Sequence, residues 1–268
     1  MLAKGFHDYT NKKLRKKMPG LKPLVIGVRN IIRWLYIRSL LPNLYPQKTD
    51  KKLVRFGPSG DGGYLIPDDL EGIGACFSPG VSLISGFEMD CATRGIKVFL
   101  ADATVDGPTE QNDLFDFSKV FIGGSTKENF ISLDDWVMRS TGDENFDLML
   151  QMDIEGYEYE VLNSISDKLL SRFRIIVVEF HKLDRPNKKN IRAFNRILKT
   201  HSCLHIHPNN YYGTVQLRDL SVPRIMEFTF LRKDRVVSSG YQNIFPHPLD
   251  FDNTPNPSIV LPKCWYHE

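Results

Sequence analysis

From about residue 70 onward, short runs of β-branched and aromatic residues alternate with stretches whose apolar positions recur every three to four residues. Gly74–Ser78, Lys97–Asp102, Lys119–Ile122, Asp147–Asp153, Arg174–Phe180, Cys203–His207 and Arg224–Arg232 read as strands. Ser85–Arg94, Leu133–Arg139, Tyr157–Ile165 and Asn187–Thr200 read as the helices between them. In the last helix Ile191, Phe194, Ile197 and Leu198 form one stripe, which predicts a side that lies on a sheet. This alternation predicts an α/β fold: a seven-stranded, mostly parallel sheet with helices on both faces, the last strand running antiparallel. No internal repeat or low-complexity segment interrupts it.

The flanks differ from this middle. The segment from Pro23 to Pro42 sets Arg29 and Arg33 at helical spacing among Ile31, Ile32, Trp34, Leu35 and Leu41. Pro23 suits a first turn and Pro42 a stop. After Asp234 the chain is rich in Pro, Asn and aromatic residues, as expected of a tail that wraps a surface without a core of its own. The expected organisation is a basic helical arm over 1–52, a main domain over 53–234 and a wrapping tail over 235–268.

Composition sharpens the arm. The 268 residues are 41% hydrophobic and 25% charged, which excludes a disordered chain. The net charge of +3 conceals 14 Lys or Arg against two acids in residues 1–55, while the remainder carries an excess of acids. Such an arm suits an anionic membrane surface, packing on the main domain, or contact with a second copy of the chain in a homo-oligomer. Nucleic acid is not an expected partner, because the acidic remainder repels phosphate. Four scattered cysteines without CxxC spacing favour a reducing compartment. No uncharged apolar run reaches the roughly 18 residues of a membrane span, so a cytoplasmic protein with at most peripheral contact at the inner face is expected.

Candidate chemistry begins at the first strand. It leads into a small-residue turn, Ser78-Pro79-Gly80-Val81-Ser82, then a helix carrying Phe87 and Glu88, then a second strand ending at Asp102. In doubly wound sheets a ligand binds at such a turn, and an acid ending the second strand accepts hydrogen bonds from a ribose. The turn lacks a GxGxxG fingerprint, which counts against a nicotinamide-dependent oxidoreductase. That class and a non-catalytic membrane- or partner-binding scaffold are the alternatives.

Two further segments narrow the choice. ISLDDWVMRS at Ile131 precedes FDLMLQMDIEGYEYEVLNSI at Phe146. Together with RFGPSGDGGYLIPDD at Arg55, SPGVSLISGFEMD at Ser78 and HIHPNNYYG at His205, they resemble the FkbM-type family of S-adenosylmethionine-dependent methyltransferases, over about Leu53–Arg232. The resemblance implies a class I methyltransferase (Rossmann-like) sheet, S-adenosyl-L-methionine as cofactor, and O-methylation of a sugar or glycan hydroxyl, including lipid-linked or polysaccharide precursors. It implies that Gly80, Val81 and Ser82 face the methionine and ribose, with Glu88 nearby. Asp102 would bind the ribose, Ala103 and Thr104 would flank the adenosine, and Gly123, Gly124 and Ser125 would border the adenine. Arg55 and the Asp61-Gly62-Gly63-Tyr64 loop would close over the amino-acid end. Ser78-Pro79-Gly80 departs from a glycine-rich loop.

Methyl transfer to a hydroxyl needs alignment and a proton acceptor or a metal. The carboxyl ends of the predicted strands supply acids and histidines: Asp153 and Glu155, Glu179 and His181, His205 and His207 with Asn209 and Asn210, and Glu227. His181 is the expected base, with Asp153 and Glu179 beside it. Asp153, His181 and His207 form a candidate Mg²⁺ or Mn²⁺ set. The plainer roles are helix capping for Asp153, capping or surface positions for Glu155 and Glu158, a core hydrogen bond for His205, and a turn for Asn209-Asn210.

Overall fold

The computed structural model describes residues 22–81 and 84–267, with side chains from Gly27 onward. The arm contains helix α1 (Lys22–Leu44). The main sheet is built from β1 (Ile73–Pro79), β2 (Lys97–Ala101), β3 (Phe115–Ser118), β4 (Asp147–Met152), β5 (Phe173–His181), β6 (His201–Pro208) and β7 (Ile225–Arg232). Helices α2 (Gly86–Thr93), α3 (Leu133–Thr141), α4 (Glu158–Ser164), α5 (Asp167–Leu170) and α6 (Lys188–Thr200) fall between the strands.

The strand order is β6-β7-β5-β4-β1-β2-β3. β3, β2, β1, β4 and β5 pair in parallel, and β7 is inserted antiparallel between β5 and β6. The sheet is therefore mixed, a correction to the mostly parallel expectation. The cause is local: β6 and β7 are linked by the hairpin strands Thr214–Leu217 and Leu220–Pro223 instead of a crossover helix.

Both faces are covered, as a central parallel sheet requires. On one face Ile176, Val178, Phe180, Phe228 and Phe230 pack under α1, α3, α4 and α6. On the other, Cys76, Val98, Met149, Ile175 and Val177 pack under α2 and the hairpin Leu53–Phe56/Tyr64–Pro67. Phe194 of α6, fully buried, packs at a tilt against Phe180 at 4.4 Å and edge-on against Phe228 at 5.5 Å between ring centroids. Phe194→Ala is expected to cost about 3–5 kcal/mol by denaturant melting, as a large buried aromatic removed from a close-packed cluster does. A loss under about 1 kcal/mol contradicts this packing account.

Two predicted boundaries differ. Lys119–Ile122 is not the third sheet strand. Phe115–Ser118 pairs with β2, because Phe115 and Phe117 pack against the α2-side core, whereas Phe121–Gly123 turns away to pair with Phe130–Ser132. Pro42 does not stop the arm helix, which continues to Leu44. A proline in a final turn forfeits one hydrogen bond, and burial of Leu40, Leu41 and Leu44 in the main core outweighs that. The C-terminal half of the arm is thus part of the core. Its preceding turns expose Val28, Ile31, Ile32 and Leu35. Among the described residues, no helix is long and apolar enough to cross a membrane. All four cysteines are free thiols, and Cys76, Cys91 and Cys203 are buried.

Candidate active site

Side chains alternate between the two faces of each strand, so the register decides which polar groups meet. Val178 lies level with Met152, which puts Glu179 level with Asp153 just beyond β4. Glu179 pairs with Glu227, and Glu227 pairs with His207. Asp153, Glu179, Glu227 and His207 therefore form one row across four neighbouring strands, with Phe180 and Phe228 facing the opposite way into the core. His181 stands two residues beyond Glu179 on the same face.

His181 is the hub of this row. Its Nδ1 lies 3.1 Å from Glu158 Oε1, which also accepts from the Gly156 N–H at 2.8 Å. The carboxylate accepts from Nδ1–H, so Nε2 is presented to the rim. There it meets Glu179 Oε1 at 3.4 Å, Glu155 Oε2 at 3.4 Å and Asp153 Oδ1 at 3.9 Å. Burial works against a charged His181, but Glu158, Asp153 and Glu155 outweigh it, and the imidazole pKa is raised. Burial pushes Asp153 up to about 7 against the pull of His181. Burial, then the neighbouring Asp153 and Glu227, pushes Glu179 well above the usual carboxylate range. Burial also pushes Glu227 to about 7. The row thus holds protons in common near neutral pH, and a titration there belongs to the group. Glu155 and Lys182 flank it with φ of +57° and +58°, strained values that hold the two turns beside the rim.

The expected surface role of Glu158 is corrected: it is fully buried beneath His181. Glu155 is exposed, as expected of a helix-start acid, yet reaches His181.

On the cofactor side, Gly80 is the tightest position. Its φ is +92°, and an added Cβ would lie 1.6 Å from the Asp153 carbonyl oxygen. The turn after β1 and the end of β4 therefore touch backbone to backbone. Val81 is buried in the α2-side core, and Ser82 lies outside the described residues. Below the turn, buried Ser78 contacts Glu88 and donates to Gln151 Oε1 at 2.6 Å. Burial raises Glu88 to about 7, against the Ser78 hydrogen bond that lowers it. Asp102 Oδ1 accepts from the Thr104 N–H at 2.7 Å and from its hydroxyl at 2.6 Å, closing the turn through Ala103.

Arg55 braces its own loop: it donates to the carbonyls of Pro58 at 2.7 Å, Gly60 at 2.9 Å and Leu249 at 3.3 Å. Gly63 is required there, because a Cβ would meet the Pro58 oxygen at 2.1 Å. A cavity of about 70 Å³ lies between Asp61, Gly62, Tyr64, Gly80, Glu88 and Asp153. Gly124 and Ser125 are not part of it; they border a second cavity beside α4.

Of the candidate metal set, Asp153 and His181 come together. Their third neighbour is Glu179, all three offering ligand atoms within 4.8 Å of one another. His207 lies with Asp250 instead, at 3.6 Å, and its expected place in that set is corrected. Asp250 belongs to the tail and escaped the sequence reading, as did Asn253. His205 Nε2 meets Asp250 Oδ1 at 2.9 Å. Asn209 donates to Glu179 at 2.9 Å and Asn253 to Glu227 at 2.7 Å, while Asn210 holds the Thr254 and Asn256 carbonyls. Asn209-Asn210 is thus more than a turn.

This tail contact is pH-sensitive. Burial opposes the charge on Asp250, but His205 and His207 hold it well below the usual carboxylate range. Burial opposes the charge on His207, but Asp250 and Glu227 raise its pKa. The lowered Asp250 stabilises docking above about pH 4, and this is lost as pH falls through its folded value. The raised His207 stabilises docking fully below about pH 6.5, and this is lost as pH rises through its folded value. Limited proteolysis across residues 244–258 is expected to accelerate several-fold from pH 6 to 8.5 in the native protein, relative to a peptide control. His207→Gln should flatten that rise, and an unchanged rise contradicts the assignment.

No curated protein matches the chain. The family model described as "Methyltransferase FkbM domain" matches residues 97–207, the stretch that carries Asp102, Asp153, Glu179, His181 and His207. Residues 97–207 are therefore similar to an FkbM methyltransferase domain, and this stretch carries most of the acid- and histidine-bearing strand ends of the rim.

Proposed function

We propose that the protein transfers a methyl group from S-adenosyl-L-methionine to a hydroxyl of a sugar or glycan, with His181, Asp153 and Glu179 at the reacting centre. The observation that carries this reading is the convergence of the Gly80 turn on Asp153, beside a histidine held by buried Glu158. The residues fit the cofactor chemically. Gly80 lets the turn after β1 lie directly against the Asp153 backbone, Asp102 follows β2 as a ribose acceptor, and the row beyond Asp153 is polar and buried. A cavity of about 70 Å³ is far below the roughly 300 Å³ or more of a ligand site, so the Asp61–Tyr64 turn must swing away from Ile84 and Phe87 to admit a nucleoside.

S-adenosylmethionine supplies an electrophilic methyl group on a sulfonium. The chain must then place an acceptor oxygen in line with it and take the hydroxyl proton. His181 Nε2 is the acceptor atom for that proton: Glu158 fixes the ring through Nδ1, and Glu158, Asp153 and Glu155 stabilise the imidazolium that forms. Calorimetric titration tests the reading. S-adenosylmethionine should bind at micromolar concentration and NADH should not; binding of NADH alone favours an oxidoreductase and overturns it.

The clustering of Asp153, Glu179 and His181, with Asp153 Oδ1 lacking a hydrogen-bond partner, favours a second reading in which they hold Mg²⁺ or Mn²⁺ that orients the acceptor oxygen. Turnover that survives exhaustive chelation contradicts it; turnover lost and restored by either ion supports it.

A further inference from the structure

The second cavity, of about 490 Å³, lies where the turn after Gly123, the start of α4 and the segment after β5 meet. Its charge is opposite to that of the rim. Lys182, Arg185, Lys189 and Arg192 line it against one carboxylate, Glu160. Arg185 has Asp184 at 3.4 Å, but among the described residues Lys182, Lys189 and Arg192 have no carboxylate within ion-pair distance. The start of helix α6 forms part of the cavity wall through its cap Asn187 and through Lys189 and Asn190, so the positive end of a 13-residue helix adds to the field. Tyr159 also borders the cavity. The residue is 8% exposed and sets its hydroxyl beside Asn190, another residue of the cavity lining.

The cavity is tied directly to the reacting centre. Lys182 follows His181, and an added Cβ on Gly156 would lie 2.5 Å from Lys182 Nζ, so this ammonium crosses the backbone three residues after Asp153. Acids therefore face one side of this crossing and cations the other. A neutral sugar gains nothing from that separation. A molecule with a hydroxyl at one end and an anion at the other is oriented by it, because the carboxylate row repels the anion and the cavity attracts it.

We propose that this cavity binds a phosphoryl group of the acceptor, making the substrate a phosphorylated sugar or glycan whose hydroxyl is presented to His181. The inference rests on the methyltransferase reading and names its acceptor class. The same phosphoryl chemistry occurs in soluble sugar phosphates and in lipid-borne headgroups.

The test uses the full chain and the double variant Arg185→Ala/Lys189→Ala, both exposed positions whose replacement should leave the thermal midpoint unchanged. Calorimetry with glucose 1-phosphate and with inorganic pyrophosphate should show binding to the wild type, weakened at least about tenfold in the variant, with S-adenosylmethionine affinity retained in both. Flotation with vesicles containing phosphatidic acid, against phosphatidylcholine alone, separates the sources. Capture that depends on Arg185 and Lys189 supports a lipid-borne phosphate. Binding of glucose 1-phosphate without such capture supports a soluble one. If neither probe binds either protein, or both proteins bind equally, the proposal is overturned even where S-adenosylmethionine binds. Phosphate binding intact without any S-adenosylmethionine binding overturns the underlying methyltransferase reading instead.

Discussion

His181→Ala is expected to lower turnover by about 10²–10⁴-fold while leaving S-adenosylmethionine affinity within about twofold. The separation follows from position. His181 contacts Glu158, Asp153, Glu155 and Glu179, all toward the acceptor side. The replacement also leaves Glu158 buried without its imidazole partner, so some thermal destabilisation accompanies the loss. His181→Gln keeps a donor toward Glu158 and cannot take the proton. It should recover stability and not turnover, which distinguishes chemistry from structure. The sign of the pH effect is fixed by the raised His181 pKa: the neutral base is scarce below it, so kcat/KM should climb with pH along a limb above about 6.5. Unchanged turnover in His181→Ala would refute the role.

Gly80→Ala is expected to abolish cofactor binding, with affinity falling beyond about 100-fold, and to lower the thermal midpoint. Left-handed backbone at a non-glycine residue costs on the order of 1–3 kcal/mol. At Gly80 a second term adds to this, because the Cβ lies 1.6 Å from the Asp153 carbonyl oxygen, and backbone cannot rotate away as a side chain can. Relief requires β1 and β4 to part at their tips, where the Gly80 N–H bonds the Ala101 carbonyl at 2.9 Å and the Asp153 N–H bonds Pro79 at 3.3 Å. Gly27→Ala is the control: nothing lies within 4 Å of its added Cβ, and it sits inside α1, so it should be neutral or stabilising by up to about 1 kcal/mol. Equal behaviour of the two variants contradicts the close approach at Gly80.

How much of this was legible in the sequence depends on the range of the interactions. The stripe of α6 placed Phe194 and Ile197 in the core, because helical periodicity is local. The same period-two logic put Glu179 and His181 on one face, and the ends of β4, β5 and β6 marked the rim. Phe115–Ser118 was passed over because two aromatics around an Asp make a weak strand signal, and only pairing with β2 selects it. Glu158 resembles any acid at a helix start until the fold buries it under His181. Asp250 and Asn253 were invisible for a related reason: they lie over 40 residues from His205 or in a separate tail, and no local pattern announces a loop that returns to the rim. Gly124 and Ser125 follow a strand that left the main sheet, which carried them to the second cavity.

The central claim is that a methyl donor sits between the Gly80 turn and the acid–histidine row. The most direct measurement is a crystal structure with S-adenosylhomocysteine. The account predicts the ribose hydroxyls on Asp102, the backbone of Gly80 against the ligand, and the sulfur facing His181 and Glu179. A nucleoside bound elsewhere, or a sulfur turned away from His181, would contradict it.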